Sequence, residues 1–79
     1  MPVILRVKGY KFWFYEADRD EPPHVHVGRA GKEAKYWLEP DIELAKNYRL
    51  SRAQLKEIEQ LIEDHGDEIK RAWKKHFGS

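Results

Sequence analysis

Cysteine is absent from all 79 residues, which excludes a disulfide framework and a thiolate metal site as the staple of so short a chain. Long apolar runs are missing as well. None approaches the ~20 residues that span a bilayer, and Met1-Pro2-Val3-Ile4-Leu5-Arg6 lacks the basic start and apolar stretch of a signal peptide. We therefore expect a protein of the reducing cytoplasm, with no membrane among its partners. Charge of one sign is not in excess: a formal net charge of +1 gives no overall pull toward nucleic acid. Also absent are a Gly-rich phosphate loop, a nucleophile elbow, HExxH spacing, internal repeats, low-complexity tracts and linkers.

What is present is apolar and aromatic. Hydrophobic residues make up 41% of the chain, with three Trp, three Phe and four Tyr, enough for a packed core rather than a disordered chain. A chain of this length buries only ~60–65% of its unfolded surface, which leaves room for one core. Residues 1–79 are therefore expected to form a single domain.

The patterning predicts an α+β fold, an antiparallel sheet of about four strands followed by two C-terminal helices packed on one face. Val3, Leu5 and Val7 alternate with Ile4, Arg6 and Lys8 as in a half-buried strand, and Gly9 marks a tight turn. Residues 10–16 form the most β-prone segment, with Phe12 and Phe14 on one side and Trp13 and Tyr15 on the other. Residues 17–23, with four charged groups and two prolines, read as a loop. His24 to Gly28 resumes the alternation, Arg29 to Lys32 reads as a hairpin loop, and a strand follows from about Glu33 to Leu38. Pro40 ends it, and residues 41–49 read as an irregular or weakly extended connection.

If the hairpin pairs Gly28 with Glu33, the ladder sets Val27 opposite Ala34, His26 opposite Lys35, Val25 opposite Tyr36 and His24 opposite Trp37. One face is then apolar, and the other gathers His24, His26, Lys35, Trp37 and Glu39. Downstream, Ser51 with Gln54 is a capping box, Leu50 and Leu55 have hydrophobic-staple spacing, and Leu55, Ile58, Leu61 and Ile62 form a buried stripe. Gly66 is placed to end this helix in the left-handed conformation, with Asp67 capping the next. Ile69, Ala72 and Trp73 form the inner face of the last helix, together with His76 or Phe77.

His24 and His26 are the chemically suggestive pair, because residues two apart on a strand project side by side. Three readings stand together. The pair could ligate a divalent metal, with Asp18, Asp20 or Glu21 completing a set suited to zinc, manganese or iron. It could be a packing feature, set against Trp37 or hydrogen-bonded to the acidic loop. Or one ring could act as general acid or base with Lys35 stabilising an anion, as a metal-independent ribonuclease requires. Trp13, Tyr15, Glu21 and Trp37 are the candidate binding residues, on a sheet face that two helices would leave open. Lys70, Arg71, Lys74 and Lys75 form a basic helix face that either touches RNA or DNA phosphates or is simply solvated.

These residues carry a resemblance, over nearly the whole chain, to the small bacterial proteins grouped as domain of unknown function 4160. It rests on Met1-Pro2-Val3-Ile4, Phe12-Trp13-Phe14-Tyr15, the string Glu21-Pro22-Pro23-His24-Val25-His26-Val27, Ala34-Lys35-Tyr36-Trp37-Leu38, Leu50-Ser51 and Trp73. The Pro-Pro-His-x-His string is the specific part. The chain departs from the family at Asn47-Tyr48-Arg49, where relatives tend to carry a Gly before the helix. The resemblance implies no established activity. It implies one half of a two-gene unit, beside a small protein of domain of unknown function 2442, in the style of toxin-antitoxin pairs, with the open sheet face or an exposed edge strand as the partner surface. The leading expectation is thus a protein-binding component of such a pair that needs no cofactor, a homodimer remaining open. The alternative is a small ribonuclease or metal-assisted hydrolase using His24 and His26.

Overall fold

A computed structural model describes residues 3–78. The first two residues of the Met1-Pro2-Val3-Ile4 signature lie outside the described residues. Five strands form one antiparallel sheet in sequence order, β1 (Val3–Val7), β2 (Tyr10–Trp13), β3 (His24–Arg29), β4 (Lys32–Trp37) and β5 (Glu43–Tyr48), followed by α1 (Arg52–Asp64) and α2 (Gly66–Phe77). The α+β class and the two closing helices are as the sequence predicts, with five strands rather than about four. No helix among the described residues is long and apolar enough to cross a membrane.

Two short hairpins set the registers. Lys8 and Gly9 both adopt positive φ (51° and 81°), as do Ala30 and Gly31 (51° and 78°), which is the type I′ pattern whose twist matches that of paired strands. The second turn brings Gly28 opposite Glu33, so His26 faces Lys35 and His24 faces Trp37, the predicted register throughout. Gly28 is required for another reason: a Cβ there would run into the Lys32 carbonyl oxygen and the Trp13 ring.

Phe12, Val25, Val27, Ala34 and Tyr36 line the apolar face and are fully buried against Ile58, Leu61, Ile62, Ile69 and Trp73 of the two helices. Two tyrosines join sheet to helix at the rim. Tyr10 donates to Glu57 at 2.9 Å and Tyr36 to Glu59 at 2.8 Å, so buried rings keep partnered hydroxyls. Burial, the Glu57 hydrogen bond and the charge of that carboxylate raise Tyr10 above the ordinary phenol range; burial and Glu59 do the same to Tyr36.

Four expectations need correction. The segment 41–49 contains β5, an exposed edge strand whose alternation is broken where the register shifts between Lys35 and Tyr36 of β4. The aromatic strand stops at Trp13, and residues Glu16–Asp20 form a 3₁₀ turn rather than plain loop. Gly66 opens α2 instead of closing α1 in the left-handed conformation; His65 (φ −110°, ψ 17°) makes the bend, and Asp67 lies in the first turn of α2 rather than capping it. Glu39 lies beyond the end of β4, exposed, and is not part of the strand face that carries the histidines. The capping box of Ser51 and Gln54 is present in both directions, at 3.1 and 2.9 Å.

Candidate functional site

On the sheet face away from the helices, Trp13, His26 and Lys35 are direct cross-strand neighbours on β2, β3 and β4. Trp13 stacks on His26 with ring centroids 6.0 Å apart and planes 20° from parallel. Tyr15 meets the His26 ring edge-on at 4.6 Å and also lies edge-on to Trp13 at 6.1 Å, and His24 packs against Trp37 at 5.4 Å and Trp73 at 5.2 Å. This face is not open. The 3₁₀ turn Glu16–Asp20 folds back over it, and Trp13, His24 and His26 are all buried. Tyr15 stays 37% exposed, Trp37 is half-buried and Glu21 is exposed.

The turn is held from both ends. Tyr15 donates its backbone N–H to Asp18 Oδ2 at 2.8 Å while its carbonyl accepts from the Asp18 N–H at 3.0 Å. From the far end of the chain, His76 Nε2 lies 3.0 Å from Glu16 Oε1, and Arg19 sits over the Phe77 ring. These contacts drive Asp18 inward, where its side chain is 8% exposed. Its Oδ1 lies 3.0 Å from His24 Nε2 and its Oδ2 lies 3.1 Å from His26 Nε2.

Sequence patterning named Asp18 as one of three acids able to complete a histidine site, and the fold selects it. Asp18, His24 and His26 can each offer one ligand atom, and these atoms lie within 4.8 Å of one another. Asp20 stays exposed on the turn. Glu21 instead accepts from Lys35 Nζ at 2.6 Å, and the same ammonium sits 4.6 Å above the Trp37 ring. Lys35 is thus committed to an ion pair and a ring face rather than presented to a substrate anion.

The electrostatics follow. Burial pushes the Asp18 carboxyl up, yet the Tyr15 N–H and the two imidazoles outweigh it and hold Asp18 below the ordinary carboxylate range. Burial pushes His26 down, against the pull of Asp18. The Lys35 hydrogen bond holds Glu21 low. His24 Nδ1 donates to the Pro22 carbonyl at 2.9 Å, which fixes the ring, and Pro23 is tied to the sheet through the Leu38 N–H. The proline pair therefore aims His24.

The basic helix residues lie elsewhere. Lys70, Arg71 and Lys74 line a groove of about 410 Å³ with Pro23, Glu39 and Trp73, while Lys75 is exposed outside it. The acids Glu39 and Asp67 share that groove, so its charge is mixed. Two features escaped sequence reasoning. One is the 60-residue contact from Glu16 to His76, which no local pattern signals. The other is β5, which carries Leu44 and Tyr48, 39% and 54% exposed.

The sequence profile of the family described as Domain of unknown function (DUF4160) matches residues 9–74, and the chain belongs to that family. No curated protein and no solved structure matches it.

Proposed function

We propose that this domain acts by binding another small protein, as the protein-binding member of a bacterial, cytoplasmic toxin-antitoxin-like pair, and that the partner adds an extended segment to the free edge of β5. The observation that carries this reading is the exposure of β5. Its backbone pairs with β4 on one side only, and it presents Leu44 and Tyr48 to solvent. An unpaired strand edge offers a row of main-chain donors and acceptors, and flanking apolar side chains give a partner something to grip. The opposite edge is less available because β1 also lies against α2. Lys46 and the irregular pairing beside it discourage indiscriminate edge pairing, which suits a surface reserved for one partner.

The resemblance supplies the partner class, a small protein of the domain of unknown function 2442 type encoded beside this one. Co-expression of the two followed by size-exclusion chromatography tests the reading. The expected result is a stable complex, lost in a folded Leu44→Glu/Tyr48→Glu variant. A domain that stays monomeric and binds nothing beside its genomic neighbour would contradict it.

The hydrolase reading has one observation in its favour, the contact of both histidines with Asp18. It requires a substrate to reach His24, whose side chain has no exposed surface. Its test is bacterial growth after induction of this protein alone. Arrest relieved in a folded His24→Ala/His26→Ala variant would favour it over the binding role.

A further inference from the structure

The geometry points to a divalent transition-metal site of zinc type, with Asp18, His24 and His26 as its three protein ligands. Two buried nitrogens carry the argument. Because His24 Nδ1 donates to the Pro22 carbonyl, a neutral ring presents Nε2 as a bare lone pair, 3.0 Å from Asp18 Oδ1. That nitrogen makes no well-aligned hydrogen bond despite its closeness to the carboxylate, so a buried polar atom is left without a partner. His26 has the complementary defect. Its Nε2 lies 3.1 Å from Asp18 Oδ2, while its buried Nδ1 is unpartnered, 3.7 Å from Glu33 Oε2.

A cation between the two Nε2 atoms and Oδ1 corrects both. It gives the unpartnered His24 nitrogen a ligand's role and frees the His26 proton to sit on Nδ1, on the side of Glu33. Metal-bound histidines ordinarily donate the second ring N–H to a carbonyl or a carboxylate, and here Pro22 and Glu33 stand in those two positions.

The spacing fits as well. With zinc bonds of ~2.0–2.2 Å, donors in a tetrahedral shell are separated by roughly 3.3 Å; His24 Nε2 lies 3.0 Å from Asp18 Oδ1, His26 Nε2 lies 3.1 Å from the second oxygen, Oδ2, and the ligand atoms of the three residues lie within 4.8 Å of one another. Two imidazoles and one carboxylate select a transition metal over Mg²⁺ or Ca²⁺, which prefer oxygen shells. Three protein ligands leave a fourth position for water.

The test is calorimetric titration of the metal-stripped full chain with zinc chloride, paired with thermal melts and with cobalt(II) absorption to report tetrahedral coordination. Zinc should bind at one equivalent per chain and raise Tm, and magnesium chloride at the same concentration should not. Asp18→Asn should abolish the cobalt spectrum and the zinc shift. Glu33→Gln removes no ligand and should weaken zinc about 10-fold or more. It keeps the test decisive if Asp18→Asn fails to fold. Absence of zinc binding to the wild-type chain would overturn the site. So would binding unchanged in Glu33→Gln or in folded Asp18→Asn, which would place the ion elsewhere, for example on exposed histidines.

Discussion

Asp18 shows what a single side chain decides in this fold. It accepts the Tyr15 N–H and touches both histidines from a turn that covers them. Removing a buried acceptor of this kind leaves its donors without partners, at a cost of about 1–3 kcal/mol. Asp18→Ala should therefore lower unfolding free energy by that amount in urea titrations, while Asp20→Ala, two positions along and exposed, should change it by no more than ~0.5 kcal/mol. Equal effects would mean that Asp18 does not hold the turn to the sheet.

Tyr10 and Tyr36 give a second test at this scale. Both hydroxyls are raised above the ordinary phenol value of about 10. A group whose folded pKa is raised binds its proton more tightly in the native state, so its stabilisation is complete below pH ~10 and is lost as pH rises through the folded value. Stability should thus fall on the alkaline side, with a smaller loss in Tyr36→Phe. A phenolate-absorbance titration should show Tyr10 and Tyr36 ionising only above the ordinary phenol range.

The histidine pair was legible because a strand places residues two apart side by side, and the hairpin then fixed their cross-strand partners. Which acid would meet them was not. Asp18, Asp20 and Glu21 are equivalent as sequence, and the choice among them depends on Tyr15 and on a contact to His76.

Among the elements, those with strong local codes were readable. The hairpin turns, the Ser51 cap and the amphipathic stripe of α1 each rest on a few neighbouring residues. β5 was hidden because an edge strand with water on most sides needs no apolar alternation, and its pairing irregularity breaks the period that remains. Gly66 misled because glycine is so often a left-handed terminator, and here the bend falls on His65.

At residues 47–49, where the resemblance implies a Gly, the backbone takes a form that suits one. Arg49 adopts φ 73°, a left-handed conformation that glycine takes without strain, and Asn47 brackets it with two hydrogen bonds to Leu50. A non-glycine residue there costs on the order of 1–2 kcal/mol, partly offset by the extra freedom glycine has when unfolded. Arg49→Gly should therefore stabilise the domain by roughly 0.5–1 kcal/mol in thermal or urea melts. Ala30→Asn should act in the same direction, since asparagine suits the first position of a type I′ turn. A loss of stability in Arg49→Gly would show that the bracket by Asn47 already relieves the strain.

At the scale of the molecule, the two faces of the sheet have different coverings. The helices close the apolar face, and the 3₁₀ turn, pinned by the end of α2, closes much of the other over Asp18, His24 and His26. The β5 edge stays open, with Leu44 and Tyr48 exposed on it. The proposed function by association rests on that distribution, a buried histidine cluster beside an unpaired strand that is presented to solvent. The most direct measurement is amide hydrogen exchange of the domain, alone and with the proposed partner, a small protein of the domain of unknown function 2442 type. If the proposed partner binds the edge, protection should rise in residues 43–48, with β3 and β4 already protected in both states. Protection that appears elsewhere while residues 43–48 exchange as fast as in the free domain would contradict the edge as the binding surface.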